Sequence, residues 1–275
     1  VSRHLAVAAG FLLACALPAL LSAAEDALAP GRLRGIARFA RTFYVHAFYG
    51  PYFAEVILLS QAVWAGASLD PLIAGLEGAI FGGQPALAFS RGLSHLAVVN
   101  EIFFFGYFSY YLIITTGFWL MFLRGRHEAA TRGVFLATTA FAFLYVVYTF
   151  VPVQGPKYFF ETLQAAWYKE FEGVVFVPLM RMIFNRVNLA GAAFPSSHVA
   201  IGLICVVLIR WELPRLYRAY LAAFVLLCLS TVYIYAHYAV DIIAGIAVAP
   251  LLLYAVRPLY GRARALTGHK NGVPE

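Results

Sequence analysis

Six apolar stretches, each close to the length of a bilayer crossing and nearly free of charge, constrain this chain more than anything else in it. They run at Tyr52–Leu69, Leu96–Leu123, Gly133–Val151, Ala193–Ile209, Tyr217–Tyr235 and Tyr238–Val256. About 20 consecutive apolar residues make a transmembrane helix, because only a structure that satisfies its own backbone hydrogen bonds is stable in hydrocarbon. Composition agrees: hydrophobic residues make up 63% and charged residues 12%, about half the charge of a soluble domain. The sequence predicts an all-α, polytopic membrane helix bundle, with a six-span catalytic core over 51–260. An N-terminal hydrophobic segment and basic helix precede it over 1–50, and a short cytoplasmic tail follows over 261–275.

The N-terminal part reads two ways. Leu5–Ala24 follows Arg3 and His4 and ends in small residues before Glu25 and Asp26, as a cleaved signal peptide does; it is also long enough to span. Gly31–Arg41 carries Arg32, Arg34, Arg38 and Arg41 among apolar residues and predicts a basic interfacial helix. Asp70–Ser90 holds Gly78, Gly82, Gly83, Pro71, Pro85 and Glu77, a poor lipid-facing helix, and is expected to be re-entrant or to lie on the surface.

The net charge of +7 does not point to nucleic acid, because the arginines sit in short clusters beside apolar runs. Arg124, Arg126 and Arg132 share one loop, Arg210, Arg215 and Arg218 another, and Arg257, Arg262, Arg264 and Lys270 close the chain. With six alternating spans all three clusters fall on one side, joined by Arg32–Arg41, and that side is expected to be cytoplasmic. A cleaved signal peptide would instead leave Arg32–Arg41 outside, which favours an uncleaved segment. The opposite, extracytoplasmic face then holds Asp70–Ser90, the long loop Pro152–Ala192 and the junction at His237. Cys15, Cys205 and Cys228 lie in apolar segments without paired spacing and read as small buried hydrophobes.

Chemistry-bearing residues gather on that face. In Gly191–His198, Pro195 stands where a helix can begin, with Ser196, Ser197 and His198 in the first turn; a helix start offers unpaired amides and a positive dipole end, which suit phosphate. His237 and Asp241 are four apart, so on a helix they share a face. A carboxylate there can hold the proton of one imidazole nitrogen and leave the other free to attack. Lys157, in Tyr148–Tyr158, can meet phosphate oxygens as a positive charge, and Arg181 and Arg186 are weaker candidates of the same kind. Each has a plain counterpart: a capped helix, a polar pair joining helices, a snorkelling lysine.

Phe194-Pro195-Ser196-Ser197-His198, followed by His237-Tyr238-Ala239-Val240-Asp241, resembles the second and third signatures of the type-2 phosphatidic acid phosphatase superfamily. Thr231 stands where that superfamily has a phosphate-binding arginine, and its first signature, Lys-x6-Arg-Pro, has no clean copy. In both respects the chain resembles the inositol phosphorylceramide synthase-like branch, with the sphingomyelin synthases beyond it; Asp70 and Phe81-Gly82-Gly83-Gln84-Pro85 add a looser similarity. The resemblance implies a metal-independent, cofactor-free enzyme that cleaves or transfers the phosphoryl or phospho-head group of a lipid phosphate or phospholipid. It implies His237 as nucleophile, Asp241 as its partner and His198 as general acid and base. Lys157, Arg186, Ser196 and Ser197 would cradle phosphate. Water as acceptor makes a phosphatase, and a hydroxyl acceptor makes a transferase. Two alternatives remain at this level. The histidines and carboxylate could ligate zinc or iron, or a lipid or proton-coupled transporter could use His237 and Asp241 as a relay, although no inverted repeat is visible.

Overall fold

The computed structural model describes residues 16–187 and 190–266, and every regular element among them is helical. A helix over 16–27 (α1) leads through Gly31 into α2 (Arg32–Phe43), and a 3₁₀ segment at Tyr44–Phe48 passes into α3 (Tyr49–Trp64). Next come α4 (Asp70–Phe81), α5 (Pro85–Arg91), α6 (Ala97–Leu123) and α7 (His127–Phe150). Three short helices follow, α8 (Pro156–Phe159), α9 (Glu161–Lys169) and α10 (Phe176–Val187), then α11 (Ser197–Glu212), α12 (Tyr217–Tyr233) and α13 (Ala239–Leu266). Residues 1–15, with Cys15 and most of the signal-like stretch, and residues 267–275, with Lys270, lie outside the described residues.

Among the described residues three helices are long and apolar enough to cross a membrane: α6, α7 and the Ala239–Ala265 part of α13. The other long stretches are shorter than the sequence suggests. Helices α3 and α11 have 16 residues each, about 24 Å at 1.5 Å per residue against a hydrocarbon core of roughly 30 Å. The start of α11 moves from the expected Ala193 to Ser197. Residues 193–196 precede the helix, with a bend at Phe194 and Pro195; Ala193 N–H donates to Val153 O at 3.0 Å and Ser196 N–H to Asp241 O at 3.1 Å. Asp70–Ser90 is a bent helix pair, α4 and α5 meeting at 65°. Gly82 ends α4 in the left-handed conformation (φ 73°), extended Gln84 follows, and Pro85 opens α5, which is the chemistry of a helix stop and a new start. The loop expected over Pro152–Ala192 contains α8, α9 and α10.

Helix ends sort to two ends of the bundle. At one, α6 gives way to α7 and α11 to α12, and α13 runs past the expected Val256 to finish. Arg126 and Arg132 each lie 3.6 Å from the Glu212 carboxylate, Arg264 lies 2.6 Å from Glu128, and the Arg257 guanidinium sits 4.7 Å above the Trp211 ring. The basic helix α2 joins this end, with Phe39 and Phe43 against Trp119 and Phe122, while Arg38 and Arg41 both pair with Glu25 of α1 at 2.8 Å. At the other end α7 and α12 stop and α11 and α13 begin, so the segments bearing Lys157, His198 and His237 meet there.

Candidate active site

The turn between α12 and α13 carries His237, and its geometry differs from the one the spacing suggests. Helix α13 begins at Ala239, between His237 and Asp241, so the two residues do not share a helical face. Asp241 folds back from the first turn instead. Its Oδ2 accepts the Tyr238 N–H at 2.9 Å and lies 3.3 Å from His237 Nδ1, the reach-back of an acid at a helix start. Nδ1 also lies 3.0 Å from Ala193 O. Two acceptors beside Nδ1 favour the tautomer with the proton on that nitrogen, in which the neutral ring has its lone pair on Nε2. Nε2 faces His198 Nδ1 at 3.3 Å. His237 is 4% exposed, and the His198 ring is flanked by Tyr110 and Tyr107 of α6, with centroids 4.3 and 4.8 Å away.

His198 is the second residue of α11, two positions nearer the helix start than a helix opened by Pro195 would place it. Ser196 is the cap: its Oγ accepts the Val199 N–H at 3.4 Å, and Tyr148 OH donates to Pro195 O at 2.7 Å. Both Ser196 and Ser197 are buried. Helix α13 crosses here so closely that a methyl on Gly245 would lie 2.8 Å from Ser196 O and 3.0 Å from Val199 Cβ. Neither neighbour is a flexible chain end that can move aside. Gly245→Ala is expected to cost about 1–3 kcal/mol of stability, the range for overpacking. A lower unfolding temperature of the purified protein, together with reduced turnover, checks this.

Lys157 lies one residue into α8, its N–H donating to Tyr235 O at 2.9 Å. The side chain is 2% exposed. Its Nζ sits among four rings, 3.6 Å from the centroid of Trp167, 4.3 Å from Phe184, 5.0 Å from Tyr158 and 5.4 Å from Tyr168. Burial lowers this ammonium from the usual lysine range to about 7. Phe184 packs on Tyr107 at 5.6 Å, so the cage and the histidine pair share a wall. The loop before Lys157 turns at Gly155 (φ 92°), where a methyl would come 2.8 Å from Ala236 O; position and conformation both require glycine. The two arginines behave differently. Arg181 Nη2 donates to Trp167 O at 3.2 Å and Phe171 O at 2.6 Å, bracing the cage. Arg186 is exposed in the last turn of α10, and the contacts that hold the histidine pair run to Ala193, Asp241, Tyr107 and Tyr110 rather than to it.

Other buried polar residues reach this end. Asp70 is completely buried and accepts the Gln154 N–H at 2.7 Å, the Gly155 N–H at 2.9 Å and Tyr238 OH at 2.9 Å, besides Ser68 Oγ. Glu77 accepts the Ala239 N–H, and Ser90 Oγ lies 2.5 Å from Tyr235 OH. In the sequence Asp70 stands out only through a loose similarity, Glu77 only as a charge ill suited to lipid, and Ser90 not at all. Among the described residues no three His, Cys, Asp or Glu side chains are grouped to hold a metal ion.

An all-helical membrane protein with two facing histidines, one backed by a buried aspartate, is the class that fold and site define. The chain belongs to the PAP2 superfamily, whose sequence profile matches residues 77–255, a stretch that holds Lys157, His198, His237 and Asp241. No curated protein and no solved structure matches the chain. Membership, with three helices among the described residues long and apolar enough to cross a membrane, makes it an integral membrane protein, a phosphatase-like enzyme acting on phosphate esters.

Proposed function

We propose that the chain is a lipid phosphatase or phosphotransferase of the inositol phosphorylceramide synthase-like branch, working through a phosphohistidine at His237. One observation carries this reading: the His237 imidazole has its Nδ1 side held by Asp241 and Ala193 O, and turns Nε2 toward His198. Nε2 attacks phosphorus as the P–O bond to the leaving alcohol breaks, and His198 gives that oxygen its proton. Asp241 stabilises the positive imidazole that results. His198, now neutral, takes a proton from water or from a hydroxyl acceptor, whose oxygen displaces His237 from phosphorus. Lys157, the Ser196 and Ser197 hydroxyls and the first-turn amides of α11 hold the phosphoryl oxygens. Arg186, exposed at the rim of α10, meets the head group from outside.

A lipid substrate fits a site at the membrane end of an apolar bundle, walled by the rings of Tyr107, Tyr110 and Phe184. Helices α3, α6, α7, α11, α12 and α13 run between the basic end and the site end, which supports six crossings, the shorter ones being completed by flanking loops. With the arginine-rich end cytoplasmic, the site faces the extracytoplasmic side. A panel of lipid phosphates and phosphodiesters, assayed with and without a hydroxyl acceptor, tests this reading and separates hydrolase from transferase. In the same panel His198→Ala is expected to lose far less activity on a nitrophenyl phosphate ester, whose leaving group needs no proton, than on an alkyl ester. Equal loss on both would remove His198 as the acid.

Lys157 gives a pH dependence. Because burial depresses its pKa to about 7, the ammonium is charged below that pH and neutral above it, and only the charged form attracts phosphate. With a phosphodiester substrate of fixed charge, KM is expected to rise above pH 7 toward a limit of about tenfold per unit, as the charged fraction falls. Lys157→Arg should flatten the profile, and Lys157→Met should flatten it at a high KM. A wild-type KM independent of pH between 6 and 9, a window of roughly two units above and one below the lysine pKa, would remove Lys157 from the phosphate site.

A further inference from the structure

Three polar side chains from the bent α4–α5 pair close on the turn that carries His237. Ser90 Oγ lies 2.5 Å from Tyr235 OH, Asp70 Oδ1 accepts Tyr238 OH at 2.9 Å, and Glu77 accepts the Ala239 N–H. The contacts therefore fall on both sides of His237 in the chain. All three side chains are 0% exposed. Polar groups buried this completely are costly unless paired, and each of the three has a partner in this one turn, besides the Ser68, Gln154 and Gly155 groups on Asp70 and the Leu87 carbonyl on Ser90.

The turn needs holding. Tyr235 has φ 63°, a left-handed conformation unfavourable for a bulky side chain, so its own backbone preference does not select the shape that presents His237. The opposite face of α4 is apolar and exposed at Leu72, Leu76 and Ile80, the spacing of one helical stripe. The pair thus lies against the bundle as a strap, with lipid-facing residues outside and hydrogen-bonding groups inside. Asp70 extends the same grip to the lysine loop through the Gln154 and Gly155 amides.

We propose that the α4–α5 pair is the positioning element of the catalytic turn, with Asp70, Glu77 and Ser90 acting through Tyr238, Ala239 and Tyr235 to aim His237 Nε2. None of the three touches the reacting atoms; they are positioning residues, and the proposal rests on the phosphoryl-transfer reading of His237. A purely architectural role would cost stability and leave turnover per folded molecule unchanged. A positioning role lowers kcat with little effect on KM, because substrate still binds while the attacking nitrogen is misplaced.

The test uses the purified full-length chain in nanodiscs. Asp70→Asn endangers folding, since Asp70 serves several donors; Tyr238→Phe, Tyr235→Phe and Ser90→Ala each remove one hydroxyl and keep the test alive. Each single variant is expected to lower kcat by about 10- to 100-fold, in line with the cost of misplacing a reacting group by up to an ångström. The Ser90→Ala/Tyr235→Phe double variant should be no worse than either single, because both act through one hydrogen bond. A second readout needs no turnover: carbethoxylation of His237 by diethyl pyrocarbonate, followed by mass spectrometry, should run several-fold faster in Tyr238→Phe and Ser90→Ala. Wild-type kcat together with a wild-type carbethoxylation rate in these variants, whatever their thermal stability, overturns the proposal. If the wild type itself neither turns over nor takes a phosphorus label, the phosphoryl-transfer reading falls, and the carbethoxylation rates alone decide whether the strap sets the turn.

Discussion

His237→Ala is expected to abolish turnover on every phosphate ester, including activated nitrophenyl esters, and to remove an acid-labile phosphorus label that the wild type carries. The reason is covalent: without Nε2 no phosphohistidine forms, and no neighbouring group is placed to attack instead. His198 lies 3.3 Å away, but among the described residues it meets Tyr107, Tyr110 and His237 and has no carboxylate to hold its tautomer. The variant should stay folded, because the Ala193 carbonyl and the Asp241 carboxylate each lose one contact while Asp241 keeps the Tyr238 amide. Retention of the label on Ser196 or Ser197 would keep phosphoryl transfer and reassign the nucleophile. Full activity would end the enzyme reading.

The second large effect is expected at Asp241→Asn, with kcat lower by about 10⁴, the loss seen for the equivalent change in a serine protease triad. Here the geometry makes the substitution unusually clean. Asp241 Oδ2 serves both Tyr238 N–H and His237 Nδ1, whereas Oδ1 is buried with no hydrogen-bond partner. The asparagine oxygen can take the place of Oδ2 and its amide nitrogen the place of Oδ1, so the turn keeps its bonds while the negative charge is gone. What is lost is stabilisation of the imidazolium formed on attack, together with about 1–3 kcal/mol of stability for amide donors buried where Oδ1 has no partner. Single-turnover labelling should slow with substrate binding unchanged. A variant within tenfold of wild type, a loss of about 1.4 kcal/mol or less in transition-state stabilisation, would show that the Ala193 carbonyl alone suffices to orient His237.

The histidine pair was legible in the sequence because its signature fixes residue types and order. The physical reason offered by spacing was different from the one observed. Four residues suggest one helical face, yet α13 starts between His237 and Asp241, and the contact is an acid reaching back over its own helix start. Helices α6, α7 and α13 were legible because they are apolar on all sides, and the α4–α5 break because Gly82 and Pro85 stand where a helix stops and restarts. The segment Pro152–Ala192 gave no such signal. Helices α8, α9 and α10 are short, and their formation depends on aromatic partners distant in the chain, such as Phe184 on Tyr107 and Phe176 on Phe105. Lys157 was legible as a cation but not as a caged one, since Trp167 and Phe184 reach it only through the packing of α9 and α10. Asp70 was legible only through a loose similarity, Glu77 only as a charge ill suited to lipid and Ser90 not at all, because their partners in the His237 turn lie some 145 to 168 residues away.

The backbone bonds that knit the site have a consequence for how the protein is made. Leu69 donates to Pro152 O, Ala193 to Val153 O, Lys157 to Tyr235 O and Ser196 to Asp241 O, so each loop is completed by one that follows or precedes it by many residues. Synthesis delivers the chain from its N-terminus. A nascent chain that has inserted α11 already carries His198, but it has neither the carbonyl of Tyr235 to fix the lysine loop nor that of Asp241 to fix the start of α11. On the function proposed above, a partial product of translation lacks His237 and Asp241 until α13 has emerged, and phosphoryl transfer is expected only once that helix has been inserted.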